Sequence, residues 1–304
     1  MKNNPDKKIS VLEASAEPGL ELASDWPGGL YLLPSPLGNL GDLSRRIEAA
    51  LQAADLVAAE DTRRSLKLLN HLGLNRPLIS YREQNHHRAW PRISATLAEG
   101  GRVALLTDAG APGVSDPGAA LVRAAREAGF AVIPLPGPSA VITALTASGF
   151  SADRFTFAGF IPARGKERRD FLAGLVRHPW TLVFFEAPHR LAEALADLSA
   201  AFGPRPALLA REMTKVHEEY LFADLPTLAA EVAARPRKGE MTLVVEGFSG
   251  GEEKTDLDLE RLREMARTDP RPTKVLAAEL AAETGRGRGE IYQLLLAARR
   301  DEDA

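Results

Sequence analysis

Between residues 30 and 148, short apolar segments alternate with helical patterns, and this alternation restricts the possible folds more than any other feature of the sequence. Segments that are apolar at every position are typical of strands that are buried on both faces. Their alternation with helices predicts an α/β fold, in which helices cover a mostly parallel sheet. The apolar segments are LYLLP (30–34), DLVAA (55–59), PLISY (77–81), VALLT (103–107) and FAVIPL (130–135), and helices are expected at 42–53, 62–72, 87–99, 117–128 and 138–148.

Beyond residue 150 the apolar segments contain more aromatic residues, and the charged segment 217–224 is typical of a hairpin. This change predicts a second α/β domain whose sheet has mixed strand directions. We predict an N-terminal domain at 28–138 and a C-terminal domain at 139–248, preceded by a mobile extension at 1–27. Residues 249–304 are predicted to form a glycine-rich linker and a small helical appendage.

The composition excludes several kinds of chemistry. The 304 residues include no cysteine, which excludes disulfides, thiolate metal sites and cysteine nucleophiles. The net charge of −3 gives no general attraction to nucleic acid, so an RNA partner would need a local basic face. No apolar segment approaches the roughly 20 residues that span a bilayer, and the N-terminus lacks the apolar centre of a signal peptide. We therefore expect a cytoplasmic protein with no membrane partner.

Three loops follow strands of the predicted first sheet, and ligands of open α/β sheets bind at such strand ends. The loop at 34–42 contains glycines, and the loop at 134–141 opens a helix with Pro, Gly and Ser. The loop DAGAPGVSDPG (108–118) has a backbone restricted by prolines and glycines, with Asp108 and Asp116 as its carboxylates. Asp116 could instead cap the next helix. None of the loops matches a dinucleotide or nucleoside-triphosphate motif, which favours an uncharged or cationic small molecule without a phosphate chain.

Eight segments, in this order and spacing, resemble the ribosomal RNA small-subunit methyltransferase I family. The segments are LYLLPSPLGNLGDLSRR, DLVAAEDTRRSLKLL, LLTDAGAPGVSDPG, PLPGPSA, FAGFIPARGKERR, FFEAPHR, AREMTKVHEE and KGEMTLVVEG, and the resemblance covers about residues 30–300. Ser35 and Leu37 stand where Thr and Ile are common in that family. The family belongs to the tetrapyrrole-methylase-like, class III, enzymes that use S-adenosylmethionine.

The resemblance implies methyl transfer to the 2′-hydroxyl of a cytidine in the decoding region of small-subunit (16S) ribosomal RNA, within the assembled subunit. It also implies a homodimer, no DNA partner, and two α/β domains with the cofactor in the cleft between them. S-adenosylmethionine is a sulfonium cation, so the carboxylate of Asp108 and the backbone at Gly110 suit it from the residues alone. With the positions that the resemblance adds, the expected cofactor-binding residues are Pro36, Gly38, Asp108, Ala109, Gly110, Ser115, Asp116, Ser139, Ala140, Phe185, Glu186, Met213 and Thr242.

Methyl transfer to a ribose hydroxyl requires a group that handles a proton whose pKa is on the order of 12. Glu60 is a candidate base, and Arg63 is a candidate for gripping a phosphate in a bidentate manner. Asp61 and Thr62 could equally form a helix cap, and the charged segment 211–219 could be a solvated hairpin. The full set of catalytic candidates is Glu60, Arg63, His86, Arg211, Glu212 and Lys215.

For RNA phosphates, the basic segment 163–169 supplies Arg164, Lys166, Arg168 and Arg169. A charge run of this kind is otherwise a solvated helix face. Two other functions are open at this point. One is a methyltransferase of the same class that acts on a tetrapyrrole or another small molecule, and the other is a non-catalytic ribosome-assembly factor.

Overall fold

The computed structural model describes residues 26–249, 264–266, 268–284 and 288–300. The predicted mobile extension lies outside the described residues except for its last two positions, and most of the predicted linker lies outside them as well. No helix among the described residues is long and apolar enough to cross a membrane.

The first sheet has five parallel strands in the order β3-β2-β4-β1-β5. All five coincide with the apolar segments of the sequence, so this part of the predicted α/β fold is confirmed. The strands are β1 (Gly29–Leu33), β2 (Leu56–Ala59), β3 (Leu78–Ser80), β4 (Arg102–Leu106) and β5 (Val132–Pro134), and the helices are α1 (Arg45–Ala53), α2 (Thr62–His71), α3 (His86–Ala98), α4 (Ala119–Glu127) and α5 (Ala140–Ser148).

Helices cover both faces of this sheet because its strands carry apolar side chains on both. In β1, Leu33 points to a core that α1 and α2 complete with residues such as Leu51 and Leu69. Leu30 points to the opposite core, which α3 completes with Ile93. The successive residues of a strand face opposite sides, so an unbroken apolar segment supplies both cores.

The second sheet also has five strands, in the order β6-β7-β10-β8-β9. It is mixed, as predicted, because β6 pairs with β7 in parallel and β10 pairs with β7 in antiparallel. The hairpin prediction agrees with the adjacency of β8 and β9, which are consecutive along the chain. The strands are β6 (Phe155–Phe160), β7 (Thr181–Glu186), β8 (Pro206–Arg211), β9 (Glu219–Asp224) and β10 (Met241–Val245), and the helices are α6 (Gly165–Ala173), α7 (Leu191–Phe202) and α8 (Leu225–Ala234).

The chain divides into two compact units. The first runs to Ala144 and also takes in Ala210–Glu219, and the second comprises Leu145–Leu209 and the chain from Tyr220 onward. Within the second unit, α9 (Thr273–Thr284) and α10 (Arg288–Arg300) form the predicted helical appendage, around a small core of Leu276, Ile291 and Leu295. The predicted domain limits at 138/139 and 248/249 stay predictions.

Candidate functional site

The loops that follow β1 and β4 lie side by side, because these two strands are neighbours in the first sheet. The backbone N–H of Ser35 donates to Gly110 O at 2.8 Å, and the Gly110 N–H donates to Ser35 O at 2.9 Å. The Ser35 hydroxyl donates to Thr107 O at 2.7 Å. Gly110 has a φ of 74°, a left-handed conformation that glycine adopts without strain. Because these bonds already use its N–H, Gly110 shapes the loop, and its amide is not free to bind a ligand.

Two carboxylates join the ends of β2 and β4 in a reciprocal pair. The Asp108 N–H donates to Glu60 Oε2 at 3.3 Å, and the Asp61 N–H donates to Asp108 Oδ1 at 3.2 Å. The second oxygen of Asp108 lies 3.5 Å from Arg64 Nη1, which is too long for a strong charge-assisted bond. A carboxylate has about four acceptor positions, so Asp108 keeps the capacity to accept from a ligand.

Asp61 acts as the N-cap of α2, which was the alternative interpretation of this segment. Its Oδ1 accepts from the Arg63 N–H at 2.9 Å, and its carboxylate also receives two bonds from the Arg63 guanidinium at 3.1 and 2.7 Å. These bonds hold the pKa of the Asp61 carboxyl well below its usual range. The bidentate grip predicted for Arg63 is therefore made with Asp61, in a side chain that is 86 % exposed.

A cavity of about 160 Å³ opens beside these loops. Three of the predicted site residues line it, namely Pro36, Gly38 and Asp108. Its other side is formed by the face of α2 that carries Arg64 and Lys67. From the sequence, both belong to the basic cluster TRRSLK (62–67), which could extend an RNA-contacting surface, but neither was singled out as a site residue. Their spacing of three positions places them on one helix face. The remaining lining residues are Ser35, Leu40, Ser65, Leu68 and Thr107.

The segment after β8 belongs to the first unit and contacts the loop after β1. The aliphatic chain of Lys215 lies over Gly38, since a Cβ at Gly38 would come within 2.3 Å of Lys215 Cγ. Lys215 Nζ pairs with Glu212 Oε1 at 2.8 Å, and Arg211 pairs with Glu219 at 3.3 Å. Met213 is buried. The three predicted catalytic residues of this segment are thus ionically paired, and Lys215 contacts the loop after β1 at Gly38.

Two positions in this segment have unusual backbone conformations. Glu212 has a φ of 49° and Thr214 a φ of 69°. Left-handed conformations are uncommon outside glycine and concentrate at functional sites. The turn is held by a 2.9 Å bond from the Thr214 N–H to Glu218 Oε1.

Of the adjacent histidines, His86 is half-buried and His87 is exposed. His86 Nδ1 lies 3.0 Å from the Tyr81 hydroxyl, and its ring stacks on Trp90 with centroids 6.0 Å apart. Burial raises the pKa of the Tyr81 phenol above its ordinary value. His86 is held in a fixed orientation by these contacts, and the structure brings no other predicted catalytic side chain into contact with it among the described residues.

Asp116, for which a cap of the next helix was the alternative interpretation, does not occupy the N-cap position of α4. The helix begins at Ala119 with Gly118 as its N-cap, at a φ of 151° that favours glycine. The capping carboxylate comes from Glu83, whose Oε1 accepts from the Gly118 N–H at 3.0 Å and the Ala120 N–H at 3.5 Å. Glu83 lies 35 residues earlier in the chain, so no local pattern could have identified it.

The remaining cofactor candidates of the first unit lie in two of the strand-end loops. Ala109 is half-buried, and Ser115 is exposed with a φ of 59°. Ser139 precedes α5, accepts a 3.4 Å bond from the Ile142 N–H at its hydroxyl, and is followed by Ala140 as the first helical residue.

In the second unit, three cofactor candidates are brought together by strand pairing. Phe185 of β7 is opposite Thr242 of β10, and Glu186 is opposite Met241. The Glu186 carboxylate is buried, pairs with Arg190 and accepts a 2.7 Å bond from the Ala187 N–H, while its Oε2 has no hydrogen-bond partner in the described structure. A buried carboxylate oxygen of this kind is costly unless a water or ligand donates to it.

One residue of the basic segment has to be removed from the predicted RNA contacts. Arg168 is completely buried, and its guanidinium pairs with Asp197 at 2.8 Å and Glu193 at 3.3 Å and donates to the carbonyls of Pro162 and Ala163. It connects α6 to α7 and cannot contact a phosphate. Arg164, Lys166 and Arg169 are exposed, and Lys166 pairs with Asp170 one helical turn later.

Known proteins agree with this architecture. The family of tetrapyrrole (corrin/porphyrin) methylases matches residues 29–229. A cobalt precorrin-4 methyltransferase of cobalamin biosynthesis has the same fold, with a TM-score of 0.56 and 16% identity over 71% of this chain and 94% of that one. For uroporphyrin-III-C-methyltransferase from Thermus thermophilus, the TM-score is 0.52 and the identity 23%, over 73% and 96% of the two chains. The chain is thus of the tetrapyrrole methylase class.

Relatives of higher sequence identity show which family within this class the chain belongs to. Proteins named ribosomal RNA small subunit methyltransferase I are 44% identical in Xylella fastidiosa, over 88% of this chain and 98% of that relative, and 44% identical in Escherichia coli O157:H7, over 90% and 96%. A relative of the same name in Synechocystis is 41% identical over 88% and 98%. The chain belongs to the ribosomal RNA small subunit methyltransferase I family, as its motifs predicted.

Proposed function

We propose that this protein transfers the methyl group of S-adenosylmethionine to the 2′-hydroxyl of a cytidine in the decoding region of small-subunit (16S) ribosomal RNA. The observation that carries the proposal is the identity of 41–44% with relatives of that name along nearly their whole length. Methyltransferases of this class use S-adenosylmethionine in general. The cytidine, the ribose oxygen and the assembled subunit are the finer parts of the proposal.

The first unit offers groups that suit the cofactor. Asp108 presents a half-buried carboxylate with unused acceptor positions, which favours a sulfonium and an ammonium group over a phosphate chain. The loop around it is held by the paired bonds of Ser35 and Gly110, so its geometry is fixed before a ligand binds. The cofactor supplies an activated methyl group, and the residues of this chain supply alignment.

The candidates for the proton differ in their surroundings. Asp61 is a weak base because Arg63 holds its pKa low. Glu60 has one oxygen engaged by the Asp108 amide and lies at the strand end beside the cavity loops. Lys215 is close to Gly38 and carries the charge that would stabilise a developing oxyanion. We propose Glu60 and Lys215 as the residues that handle proton and charge at the ribose.

The test is an assay of the full chain with methyl-labelled S-adenosylmethionine and three substrates. These are small ribosomal subunits that lack the modification, free small-subunit RNA, and a uroporphyrinogen-type tetrapyrrole. Label in the RNA, mapped to a 2′-O-methylcytidine by mass spectrometry, is the expected result. Label only in the tetrapyrrole would replace the proposal with small-molecule methylation. Binding to subunits without label in any substrate would favour an assembly factor.

The proposed homodimer is tested separately by light scattering of the purified protein at several concentrations. A mass of twice 32.8 kDa is expected. A mass of one chain at every concentration would contradict the homodimer and leave the methyl-transfer proposal unaffected.

A further inference from the structure

The cavity beside α2 has an excess of positive charge. Arg64 and Lys67 line it together with one carboxylate, Asp108. Asp108 is 3.5 Å from Arg64 and also accepts from the Asp61 amide. Lys67 forms no ion pair with any residue that the structure describes. The cavity therefore retains a cation that no carboxylate neutralises.

Polar groups continue along the cavity wall. Ser35, Ser65 and Thr107 line it, and each of these residues is more than nine-tenths buried. The Ser35 hydroxyl donates to Thr107 O and holds that wall in place. The Thr107 hydroxyl likewise donates to Gly110 O at 3.4 Å, so of the three hydroxyls that of Ser65 is the one offered to a ligand. Two cations with a hydroxyl beside them are groups that bind phosphate oxygens in proteins.

The volume of the cavity limits the size of the chemical group that it can hold. A cavity of about 160 Å³ corresponds to about five water molecules at roughly 30 Å³ each. This space accommodates a phosphate group with part of a ribose. A phosphate that is part of a longer chain fits this limit because the rest of the polymer stays outside.

We infer that this cavity is a subsite for a backbone phosphodiester of the RNA substrate, next to the reacting nucleotide, with Arg64 and Lys67 as its cations. The inference rests on the proposed function. It replaces the role expected of Arg63, whose guanidinium is occupied by Asp61. The other anion that could use the same chemistry is the carboxylate of the cofactor's amino-acid end, and the experiment distinguishes the two sources.

The experiment compares the wild type with Lys67→Gln and Arg64→Gln, and uses Arg123→Gln as the control. Arg123 is an exposed cation on α4, so its replacement makes the same change in net charge away from the cavity. Binding of small ribosomal subunits and of a single-stranded RNA oligonucleotide is measured at several salt concentrations. Binding of S-adenosylmethionine is measured by calorimetry on the same proteins.

Lys67→Gln is expected to weaken RNA binding on the order of tenfold, which corresponds to one charge-assisted hydrogen bond. The slope of log K against log salt should fall by roughly 0.7 for each phosphate that the protein no longer neutralises. Arg64→Gln should act in the same direction, and Arg123→Gln should change neither quantity. Affinity for S-adenosylmethionine should be unchanged in Lys67→Gln.

Two results would overturn the subsite. One is an unchanged salt slope in both cavity variants while the wild type methylates RNA. The other is a loss of S-adenosylmethionine affinity with RNA binding intact, which would assign the cavity to the cofactor. If the wild type transfers no methyl group to any RNA, the proposed function itself fails, and that result differs from both.

Discussion

The strand-end site of the first unit and the basic segment 163–169 of the second differ in how their charged residues reach their positions. The basic segment is contiguous in sequence, yet Arg168 is buried against α7 and Lys166 is paired with Asp170. The strand-end site collects Glu60 and Asp108 from positions 48 residues apart. A run of like charge along the chain thus says little about what a surface presents, whereas the ends of adjacent parallel strands bring distant polar residues together.

The largest expected effect concerns Asp108, on the strand-end side of this comparison. Asp108→Ala removes a carboxylate that accepts from Asp61 and faces Arg64. We expect the affinity for S-adenosylmethionine to fall on the order of 100-fold, since about two charge-assisted interactions are removed. Calorimetry measures this, with Asp108→Asn as the matched variant that keeps the acceptor for Asp61 and removes only the charge. An unchanged affinity in both variants would exclude Asp108 from the cofactor site.

The next effect concerns the basic segment and separates its structural residue from its exposed ones. Arg168→Met should lower the free energy of unfolding by about 2 kcal/mol, because two backbone carbonyls and two half-exposed carboxylates lose their buried partner. Urea denaturation measures this decrease. The control Arg169→Met, at an exposed position, should change stability by less than about 0.5 kcal/mol.

Measurements of RNA binding test whether Arg168 has only a structural role in the basic segment. Folded Arg168→Met should bind small ribosomal subunits with the salt dependence of the wild type, because Arg168 is not accessible to a phosphate. A variant of normal stability with a reduced salt slope would show instead that Arg168 reaches the RNA, and it would restore the contiguous basic segment as the interface.

These two regions also show what the sequence can predict. Every strand of the first sheet corresponds to an apolar segment, because a sheet that is covered on both faces leaves a pattern that does not depend on distant partners. The predicted start of α4 is two residues early, since the chain turns at Gly118 through a conformation that composition does not reveal. The glycine- and proline-rich loop after β4 contributes Asp108 to the lining of the cavity, but its composition did not indicate the individual contacts that the loop makes.

Orientation around a helix was the main information that the sequence lacked. Arg63 and Arg64 are adjacent and differ by about 100° around α2, so one pairs with Asp61 while the other faces the cavity. The sequence favoured Arg63. Similarly, the partner of Arg168 is 29 residues later, on α7, and nothing in the basic segment itself indicates that one of its four cations is buried.

A smaller effect tests whether the pair of Glu60 and Asp108 is structural or chemical. Glu60→Gln keeps an oxygen that can accept from the Asp108 amide, and Glu60→Ala leaves that amide without its partner. If Glu60 only positions the strand ends, kcat in Glu60→Gln should stay within about threefold of the wild type, and in Glu60→Ala it should fall about tenfold. If Glu60 takes the proton, kcat should fall on the order of 100-fold in both variants, with KM little changed.

The smallest effect is the pH dependence of stability that Asp61 contributes. Asp61 forms an ion pair with Arg63 at the edge of the same site. Arg63 lowers the pKa of the Asp61 carboxyl in the folded protein below the value of 3.8 that it has without a partner. The unfolded chain therefore binds the proton more tightly, and the stabilisation is complete above about pH 4 and is lost as the pH falls toward the lowered pKa.

Asp61→Asn retains a capping oxygen and removes the charge. We expect the wild type to be more stable than Asp61→Asn at pH 7, and the difference to shrink in thermal melts as the pH falls below about 4. The same difference should decrease in high salt, which screens an exposed pair. A difference that persists unchanged at about pH 2 would mean that it does not come from the charge of Asp61, and the pairing with Arg63 would then contribute nothing to the stability of α2.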